Sequence, residues 1–408
     1  MAKPVKIFPN TVNGVVHTLL DIFLDGVYAD KAIERTLKSN PKWGSRDRSF
    51  VAENVYDMVR WWRKLWALDG QSEIPTDLTP QSVERLFGIW WLYKGNTLPQ
   101  WDVFQALQNF PIEDRKRELS SDLVIEQSYP EWIHRVASEE LGETWLGIAA
   151  ESNRPAEMII RTNTLKATRD QVIKAFADQG IETLPLPFNE EGLVVTKRIN
   201  LFRMPAFTKG WFEVQDGGSQ MIAPFADIKP GQRIIDACAG AGGKSLHLAA
   251  LLENKGQVLS MDVEGWKLNE LKKRARRNGA HNIETRLIEG SKTIKRLAGK
   301  ADRVLLDVPC TGLGVLKRNP DAKWKLKPET LETTRELQAQ ILSDYSKMVK
   351  PSGKLVYATC SILPSENQNQ VKSFLEGVGK DFTLVEDKTQ YPSEHTDGFY
   401  MALLERKG

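Results

Sequence analysis

Residues 233–244 read Arg-Ile-Ile-Asp-Ala-Cys-Ala-Gly-Ala-Gly-Gly-Lys, a short apolar run that passes directly into a glycine-rich turn. The run predicts a β-strand, and the residues from Ser245 onward predict a helix. Glycines let the backbone approach a ligand closely, and a helix N-terminus offers free N–H groups to a carboxylate or phosphate. The loop matches neither a dinucleotide fingerprint nor a P-loop, so it indicates a nucleotide-like ligand without identifying it.

From residue 213 onward, apolar runs of strand length alternate with stretches of helical periodicity. This alternation is typical of an α/β fold with a doubly wound, mostly parallel sheet. Two closing strands, Thr383–Glu386 and Gly398–Glu405, have no helix between them and therefore predict an antiparallel edge. Asp262 ends the second strand, where a carboxylate can accept hydrogen bonds from both ribose hydroxyls of a nucleoside. The five earlier predicted strands are Arg233–Ala237, Val258–Asp262, Glu284–Ile288, Arg303–Asp307 and Lys354–Thr359.

The chain ahead of that region divides into two further parts. Apolar residues recur at helical spacing from Val12 to about Leu123, which predicts an all-helical domain. Short apolar runs at Met158–Ile160 and Leu193–Val195 then flank a helical stretch around Gln171, which predicts a small α+β module. We therefore predict three domains, at residues 1–125, 126–212 and 213–408.

The composition of the 408 residues is that of an ordinary globular protein, with a formal net charge of only +3. The three cysteines, Cys238, Cys310 and Cys360, are too widely spaced to suggest a disulfide framework or a zinc site, so we expect reduced thiols. The first residues lack the apolar run of a signal peptide, and no long uncharged apolar run follows. We expect a soluble, cytoplasmic protein that does not engage a membrane.

Basic residues form two clusters, and each could face nucleic acid or be a solvated helix face or charged loop. The stretch 60–64, which reads Arg-Trp-Trp-Arg-Lys, poses a similar choice between RNA stacking and packing. Tryptophans at helical spacing belong more often to a core, so we favour packing. The first cluster comprises Lys267, Lys272, Lys273, Arg274, Arg276 and Arg277, and the second comprises Lys317, Arg318, Lys323, Lys325 and Lys327.

Two of the cysteines lie at the carboxyl ends of predicted strands. Cys310 follows the strand that ends at Asp307, and Cys360 follows the strand that ends at Thr359. Open α/β sheets build their active sites at these ends. A single cysteine is more often a small buried apolar residue, but two at neighbouring strand ends beside an aspartate indicate catalysis.

These segments resemble the Rsm/Nop/Sun family of S-adenosylmethionine-dependent RNA cytosine-5 methyltransferases. The resemblance is strong over the C-terminal half of the chain and extends more weakly upstream. It implies a class I, Rossmann-like methyltransferase domain with a seven-stranded, mostly parallel sheet. The matching residues are Asp236–Lys244, Asp307–Val315, Asn319–Asp321, Lys323–Trp324, Ala358–Ser361 and Glu366–Asn367, with Arg161–Asn163 and Gln215–Asp216 ahead of them.

The chemistry of this family explains why it uses two cysteines. Carbon 5 of cytosine is a poor nucleophile, and a thiolate that adds to carbon 6 makes it reactive. The resemblance assigns that attack to Cys360 and the later release step to Cys310. It places Asp307 to hydrogen-bond or protonate cytosine N3, which requires the protonated carboxyl.

The resemblance also implies which residues bind S-adenosylmethionine. The family often has an aspartate near the adenine after the third strand, whereas this chain has Glu289 there. The longer carboxylate could still reach the adenine amino group. The expected cofactor-binding residues are Cys238, Ala239, Gly240, Ala241, Gly242, Gly243, Lys244, Asp262, Glu289 and Asp307.

Upstream, the helical part, with Arg46–Arg48 and Val55–Tyr56, is similar to the NusB-type RNA-binding domain, and the middle module resembles the RRM-like domain of the same family. The NusB-like resemblance favours small-subunit (16S) ribosomal RNA ahead of transfer RNA as the partner. We also expect a monomeric enzyme.

Three other functions remain as alternatives. A DNA cytosine methyltransferase would use a Pro-Cys motif like residues 309–310 without the second cysteine, and an exocyclic-amine methyltransferase would carry a different run at Asp307. A ribosome-assembly or RNA-binding factor with little catalysis would have no chemical need for Asp307, Cys310 and Cys360 together.

Overall fold

The computed structural model describes residues 6–408. Helices dominate the first part of the chain, and strands alternate with helices in the rest, as the sequence patterns predict. The helices are α1 Pro9–Phe23, α2 Ala29–Ser39, α3 Ser45–Arg60, α4 Trp62–Leu68, α5 Pro80–Tyr93, α6 Ile112–Leu119, α7 Leu123–Glu126, α8 Glu131–Leu141, α9 Trp145–Ser152, α10 Arg169–Ala177, α11 Pro205–Thr208, α12 Gly217–Phe225, α13 Gly243–Leu251, α14 Gly265–Asn278, α15 Ser291–Lys295, α16 Ala322–Lys325, α17 Pro328–Tyr345 and α18 Gln368–Glu376. The strands are β1 Met158–Thr162, β2 Thr183–Leu186, β3 Asn189–Val195, β4 Phe212–Val214, β5 Arg233–Asp236, β6 Gln257–Asp262, β7 Ile283–Leu287, β8 Ala301–Asp307, β9 Val349–Thr359, β10 Phe382–Gln390 and β11 Phe399–Arg406.

Contacts group the described residues into two compact units. The first unit runs to Asn153 and also takes in the later segment Arg318–Leu326. The second unit comprises Arg154–Lys317 and Lys327–Gly408. The helices α8 and α9 thus belong with the first unit, whereas the sequence placed the boundary at residue 125. The three-domain division stays a prediction.

The first unit is a helical bundle with an aromatic core. The apolar residues of α1 face inward at helical spacing, with Val15 and Leu19 fully buried. Trp62 is also fully buried and stacks on Phe23 with 3.9 Å between ring centroids. Packing is therefore the correct interpretation of Trp62, and Trp61 is partly buried against the same core. Thr79 starts α5 with a capping box, in which its side chain and that of Ser82 bond each other's backbone N–H.

Residues 318–326 are distant in sequence from that bundle but pack within it. Trp324 donates its indole N–H to the Val59 carbonyl at 2.6 Å, and Lys323, which is 1% exposed, donates to the Arg60 carbonyl at 2.8 Å. Asp321 accepts a hydrogen bond from the Ala29 N–H at 2.9 Å. The segment therefore completes the core and the hydrogen bonding of the helical unit.

The second unit begins with a small antiparallel sheet in the order β2-β3-β1-β4. Helix α10 lies between β1 and β2 in the chain. Thr168 and Gln171 form a capping box at the start of α10, which explains why the helix begins there. Val172 and Phe176 of this helix are fully buried. The module is the α+β element that the sequence predicts.

The larger sheet has seven strands in the order β10-β11-β9-β8-β5-β6-β7. The strands β9, β8, β5, β6 and β7 are parallel, and β11 and β10 close the sheet with antiparallel pairing. Ile234 and Ile235 of β5 point to opposite faces and both are fully buried. Because helices cover both faces, the parallel strands read as continuous apolar runs. The predicted α/β class, the parallel pairing and the antiparallel edge are confirmed.

Among residues 6–408, none of the helices combines the length and the apolar character that a membrane span requires.

Candidate active site

The two catalytic candidates Cys310 and Cys360 lie side by side at the carboxyl edge of the large sheet. Parallel pairing places Asp307, at the end of β8, opposite Ala358 of β9, so the two strands end at the same edge of the sheet. The two Sγ atoms are 3.2 Å apart, and the Cys360 N–H donates to Cys310 Sγ at 3.3 Å. Both side chains are partly exposed, and all three cysteines of the chain are free thiols.

The environment of Cys310 favours its protonated form. Its hydrogen bond to Cys360 raises the pKa of the Cys310 thiol well above its usual range, and burial and the charges of Cys360 and Glu366 raise it further. A hydrogen bond from a thiol to a neighbouring thiolate stabilises the thiolate. The pair can therefore present one thiolate, with the second thiol as its hydrogen-bond donor.

A glycine at position 314 lets the loop after Cys310 come close to Cys360. The Gly314 N–H donates to the Cys360 carbonyl at 2.9 Å, and the Gly314 carbonyl accepts from Gly398 at 2.7 Å. A Cβ on residue 314 would lie 2.2 Å from the Gly398 oxygen and 2.7 Å from the Cys360 oxygen. Any larger residue would push these three backbone segments apart.

Lys244 connects the glycine-rich loop to the catalytic strand. It lies in the first turn of α13, and its Nζ donates to Asp307 Oδ2 at 2.5 Å. Burial alone would lower the pKa of Lys244, but the charge of Asp307 and their hydrogen bond outweigh burial, and this pKa is raised. Lys244 is the donor in this contact, so the geometry differs from the sequence expectation of a protonated, donating Asp307.

The glycine-rich loop fits the nucleotide-like ligand that its sequence suggests. Gly240 has a φ of 53°, and its N–H donates to Asp262 Oδ2 at 2.9 Å. Gly242 has a φ of 88° and packs so tightly that a Cβ there would lie 2.4 Å from Leu271 Cγ. At Gly243, where α13 begins, the space around a Cβ position is open. The loop therefore leaves a cradle at a helix N-terminus.

Asp262 and the residues after it form the other wall of this cradle. Its two carboxylate oxygens accept backbone N–H groups from Gly240 and Glu264, which leaves lone pairs for a ribose diol. Val263 and Trp266 follow, and both are 66% exposed, so an adenine ring would find apolar surface there. Glu289 is exposed two residues after β7, and its proposed contact with adenine stays a prediction.

Asp236 lies beneath the loop, and its hydrogen bonds give it a structural role. Its Oδ2 accepts from Ser245 Oγ at 2.6 Å, and Ser245 in turn accepts from Ser260 at 2.9 Å. Burial raises the pKa of Asp236 to about 7, against the opposing effect of the Ser245 hydrogen bond. This buried pair fixes the start of α13 to β5. Cys238 is also held in the loop, and burial raises the pKa of its thiol well above the usual range.

Many residues of the two basic clusters are engaged in internal contacts. In the second cluster, Lys323 is buried and Lys325 donates to the Val27 carbonyl at 2.6 Å. In the first cluster, Arg274 and Arg277 both bind the buried Glu213. Lys272, Lys273 and Arg276 of α14 are exposed. Only the exposed part of either cluster can face nucleic acid.

The histidines His247 and His281 do not lie in the site. His247 is 1% exposed and lies 3.2 Å from Glu191, and burial lowers its pKa to about 4. His281 is exposed in the loop before β7. His247 is therefore a buried structural residue, and His281 is a surface residue.

Sequence reasoning missed the contacts of two residues. Lys244 was assigned to the cofactor loop, and only the fold reveals that its amine reaches Asp307. Glu366 was part of the resemblance but had no role, and it accepts hydrogen bonds from the residues that follow both cysteines. The signal available in the sequence was the Glu366-Asn367 pair shortly after the Ala358–Ser361 motif.

Comparisons with known proteins agree with this arrangement. Residues 224–405 match the family described as 16S rRNA methyltransferase RsmB/F, and residues 129–201 match the ferredoxin-like domain of RsmF/B-like methyltransferases. The probable ribosomal RNA small subunit methyltransferase B of Synechocystis sp. is 30% identical over 393 residues, covering 88% of this chain and 87% of that protein. The ribosomal RNA small subunit methyltransferase B of Pseudomonas syringae pv. tomato is 29% identical and covers 81% of this chain and 79% of its own length.

Solved structures share the fold. The crystal structure of PH0851 superposes with a TM-score of 0.83 at 24% identity, covering 99% of this chain and 100% of that chain. A methyltransferase homolog protein from Pyrococcus horikoshii superposes with a TM-score of 0.62 at 26% identity, covering 70% of this chain and 98% of its own.

Proposed function

The chain belongs to the RsmB/F family of S-adenosylmethionine-dependent methyltransferases, and from that premise we propose that it methylates carbon 5 of a cytosine in small-subunit ribosomal RNA. The observation that carries the proposal is the pair of thiols 3.2 Å apart at the ends of β8 and β9. One thiol alone suits many reactions. Two adjacent thiols suit a reaction that first adds a nucleophile to a ring and then removes a proton from the neighbouring ring atom.

Cys360 is the nucleophile. Its thiolate forms a bond to cytosine carbon 6, and the electron pair of the 5,6 double bond becomes available at carbon 5. Bound S-adenosylmethionine supplies the methyl group that carbon 5 takes up. Carbon 5 then loses its proton, the double bond re-forms and the bond to Cys360 Sγ breaks, so the thiolate is regenerated.

Cys310 acts in the release step. It stays protonated next to the Cys360 thiolate during the attack, for the reasons that raise its pKa. Once Cys360 Sγ is bonded to carbon 6, it no longer supplies the hydrogen bond and the charge that raise the pKa of Cys310, so Cys310 can lose its proton to solvent. The Cys310 thiolate then accepts the carbon 5 proton, the 5,6 double bond re-forms and the Cys360 thiolate departs. Cys310 Sγ lies within 3.2 Å of the attacking sulfur, so it is placed near the bond that must break.

Lys244 and Asp307 handle the charge that builds up on the ring. Addition of a thiolate to carbon 6 moves negative charge toward N3. The Lys244 ammonium, held by Asp307 at 2.5 Å and also interacting with the charge of Cys360, supplies a positive group at this side of the site. The pair therefore takes over the stabilising role that the resemblance gives to Asp307 alone.

The cofactor side is assigned to the glycine-rich loop and the strand that follows it. Residues 238–244 would form the cradle, Asp262 would accept the ribose hydroxyls and Glu289 would accept from the adenine amino group. The first two assignments rest on the open helix N-terminus at Gly243 and the free lone pairs of Asp262. The assignment of Glu289 rests on the family resemblance.

Ribosomal RNA is the proposed substrate because the relatives named as small subunit methyltransferases match over most of their length, including the helical part. The helical unit and the α+β module would bind RNA in this enzyme. The likeness of the helical part to a NusB-type domain, and of the module to an RRM-like domain, stays a prediction. A cytosine must leave its stack before a thiolate can reach carbon 6. A monomer in the cytoplasm remains the expectation.

The test uses wild type, Cys360→Ala and Cys310→Ala with S-adenosylmethionine and unmodified small-subunit ribosomal RNA. We expect a protein–RNA adduct on a denaturing gel only with Cys310→Ala, which can attack but not release. Cys360→Ala should bind the cofactor but transfer no methyl group, and reactions without S-adenosylmethionine are the control. Equal behaviour of the two variants would contradict the assigned roles.

Transfer RNA is tested in parallel. Methylation of transfer RNA alone would change the substrate and leave the chemistry intact. No transfer and no adduct on either RNA would favour an assembly or RNA-binding factor.

A further inference from the structure

The carboxylate of Glu366 is fully buried directly behind the two cysteine loops. Its Oε1 accepts the Thr311 N–H at 2.9 Å, and its Oε2 accepts the Thr311 hydroxyl at 2.5 Å and the Ser361 hydroxyl. Thr311 follows Cys310 and Ser361 follows Cys360. One carboxylate therefore joins the two loops that carry the thiols.

A second set of hydrogen bonds supports this carboxylate. Gln338 of α17 donates both to Glu366 Oε1 at 3.0 Å and to the Pro309 carbonyl, just before Cys310, at 2.9 Å. Asn367 accepts from the Thr359 hydroxyl at 2.5 Å and donates to the Ser361 carbonyl at 3.0 Å, on either side of Cys360. Residues flanking each cysteine are thus fixed from the same side.

We propose that Glu366 is a positioning residue that holds the Cys310 and Cys360 loops at a fixed spacing and places a negative charge behind them, so that the two thiols keep different roles. This inference rests on the roles proposed above for the two cysteines. Glu366 itself lies behind the loops, and it acts on the reaction only through the thiols.

A carboxylate at position 366 brings a negative charge to the site, which an amide would not. The hydrogen-bond donors to Glu366 are an N–H, an amide and two hydroxyls, all neutral, so they satisfy the carboxylate without cancelling its charge. In a poorly solvated site this charge acts on its neighbours. The pKa of Cys310 is raised by its hydrogen bond to Cys360, by burial, and by the charges of Cys360 and Glu366.

Glu366→Gln tests the charge with little change in shape. The amide retains one acceptor oxygen, and the hydroxyls of Thr311 and Ser361 can rotate to accept from the new NH₂ group. The matched control is Glu376→Gln at the end of α18, where the carboxylate is exposed. The measurement is the rate of iodoacetamide alkylation of Cys310 and Cys360, read separately by peptide mass spectrometry from neutral pH to pH 10.

We expect the pH profile of Cys310 alkylation to move to lower pH in Glu366→Gln and to stay unchanged in Glu376→Gln. A shift of one pKa unit gives about a tenfold faster reaction at pH values below the midpoint. If Glu366 only supported the fold, its replacement by Gln would not move the Cys310 profile specifically to lower pH. A folded Glu366→Gln protein with the wild-type Cys310 profile would overturn the charge part of the proposal.

Thr311→Val tests the geometry separately, because it removes one donor to Glu366 and leaves the charge. We expect slower methyl transfer, unchanged binding of S-adenosylhomocysteine and no downward shift in the Cys310 profile. Thr311→Val also tests the positioning role if Glu366→Gln fails to fold. Wild-type turnover in Thr311→Val would overturn that role. Alkylation needs neither RNA nor cofactor, so failure of adduct formation in Cys310→Ala would count against the proposed function and not against Glu366.

Discussion

Two buried glutamates in the second unit, Glu366 and Glu213, illustrate two uses of the same side chain. Glu366 has neutral donors around it. Glu213 of β4 is 3% exposed and binds the guanidinium groups of Arg274 and Arg277 of α14. Burial would raise the pKa of Glu213, but the two arginines outweigh it and the pKa is lowered.

The difference shows that the partners decide what a buried carboxylate does. With neutral donors, the charge of Glu366 remains available to influence a nearby thiol. With two arginines, the charge of Glu213 is neutralised, and the result is a clamp between the small sheet and α14. Arg274 extends this clamp to the cofactor loop, since its second Nη atom donates to the Ala241 carbonyl at 2.7 Å.

Removal of the Glu213 carboxylate should have the largest effect on stability. Glu213→Ala leaves Arg274 and Arg277 largely buried without a counter-charge, and losing one partner of a buried ion pair costs about 3–5 kcal/mol. Urea unfolding at neutral pH measures this loss. The control is Glu284→Ala, which breaks an exposed pair with Arg286 and should cost about 0–1 kcal/mol. Equal losses in both variants would show that Glu213 is no clamp.

The same variant has a defined pH dependence. Because the pKa of Glu213 is lowered in the folded state, its contribution is fully present above the unfolded carboxyl pKa of about 4.3. The contribution is lost as the pH falls through the folded pKa. The stability difference between wild type and Glu213→Ala should therefore narrow on acidification.

Arg274→Lys should weaken cofactor binding, by less free energy than Glu213→Ala removes from the stability of the fold. A lysine has a single ammonium and cannot span both Glu213 and the Ala241 carbonyl as the guanidinium does. Loss of one hydrogen bond to the loop predicts about tenfold weaker binding of S-adenosylhomocysteine, which is about 1.4 kcal/mol. Calorimetric titration measures it, with Arg276→Lys on the exposed face of α14 as the control. Identical affinities of Arg274→Lys and Arg276→Lys for S-adenosylhomocysteine would show that the clamp does not influence the cofactor loop.

Much of the sheet could be predicted because its central strands are buried on both faces. Ile234 and Ile235 make an uninterrupted apolar run, and the turn and helix after it identify a parallel strand. The positions of Cys310 and Cys360 at adjacent strand ends followed from the same logic. Local sequence patterns carry this information, because a strand buried on both faces is apolar at nearly every position and is bounded by turn residues.

Contacts between distant side chains could not be predicted in this way. Nothing local indicates that Trp324 bonds to Val59, that Lys244 reaches Asp307, or that Gln338 and Glu366 meet behind the cysteines. Such contacts depend on the rotamers and the packing of separate elements. Sequence periodicity reports only which face of an element is buried, and it does not report the partner.

Lys323 extends the comparison to a buried amine, and the effect of its removal should depend on pH. It is 1% exposed, and its Nζ donates to the Arg60 carbonyl and lies 4.4 Å from the centre of the Tyr129 ring. Burial, and then the charge of Arg60, lower the pKa of Lys323 well below its usual value. The unfolded chain keeps this proton up to a pH of about 10.4, so wild-type stability should rise with pH over the interval between the two pKa values.

Lys323→Met keeps most of the side-chain volume and removes this titration. Relative to the variant, wild type should become more stable as the pH rises from 7 to about 10, whereas the exposed Lys327→Met should differ from wild type by a constant amount. Urea unfolding at several pH values gives both differences. A difference for Lys323→Met that is independent of pH would mean that the buried amine keeps its proton, and neutral partners alone would then suffice to hold a charge of either sign inside this protein.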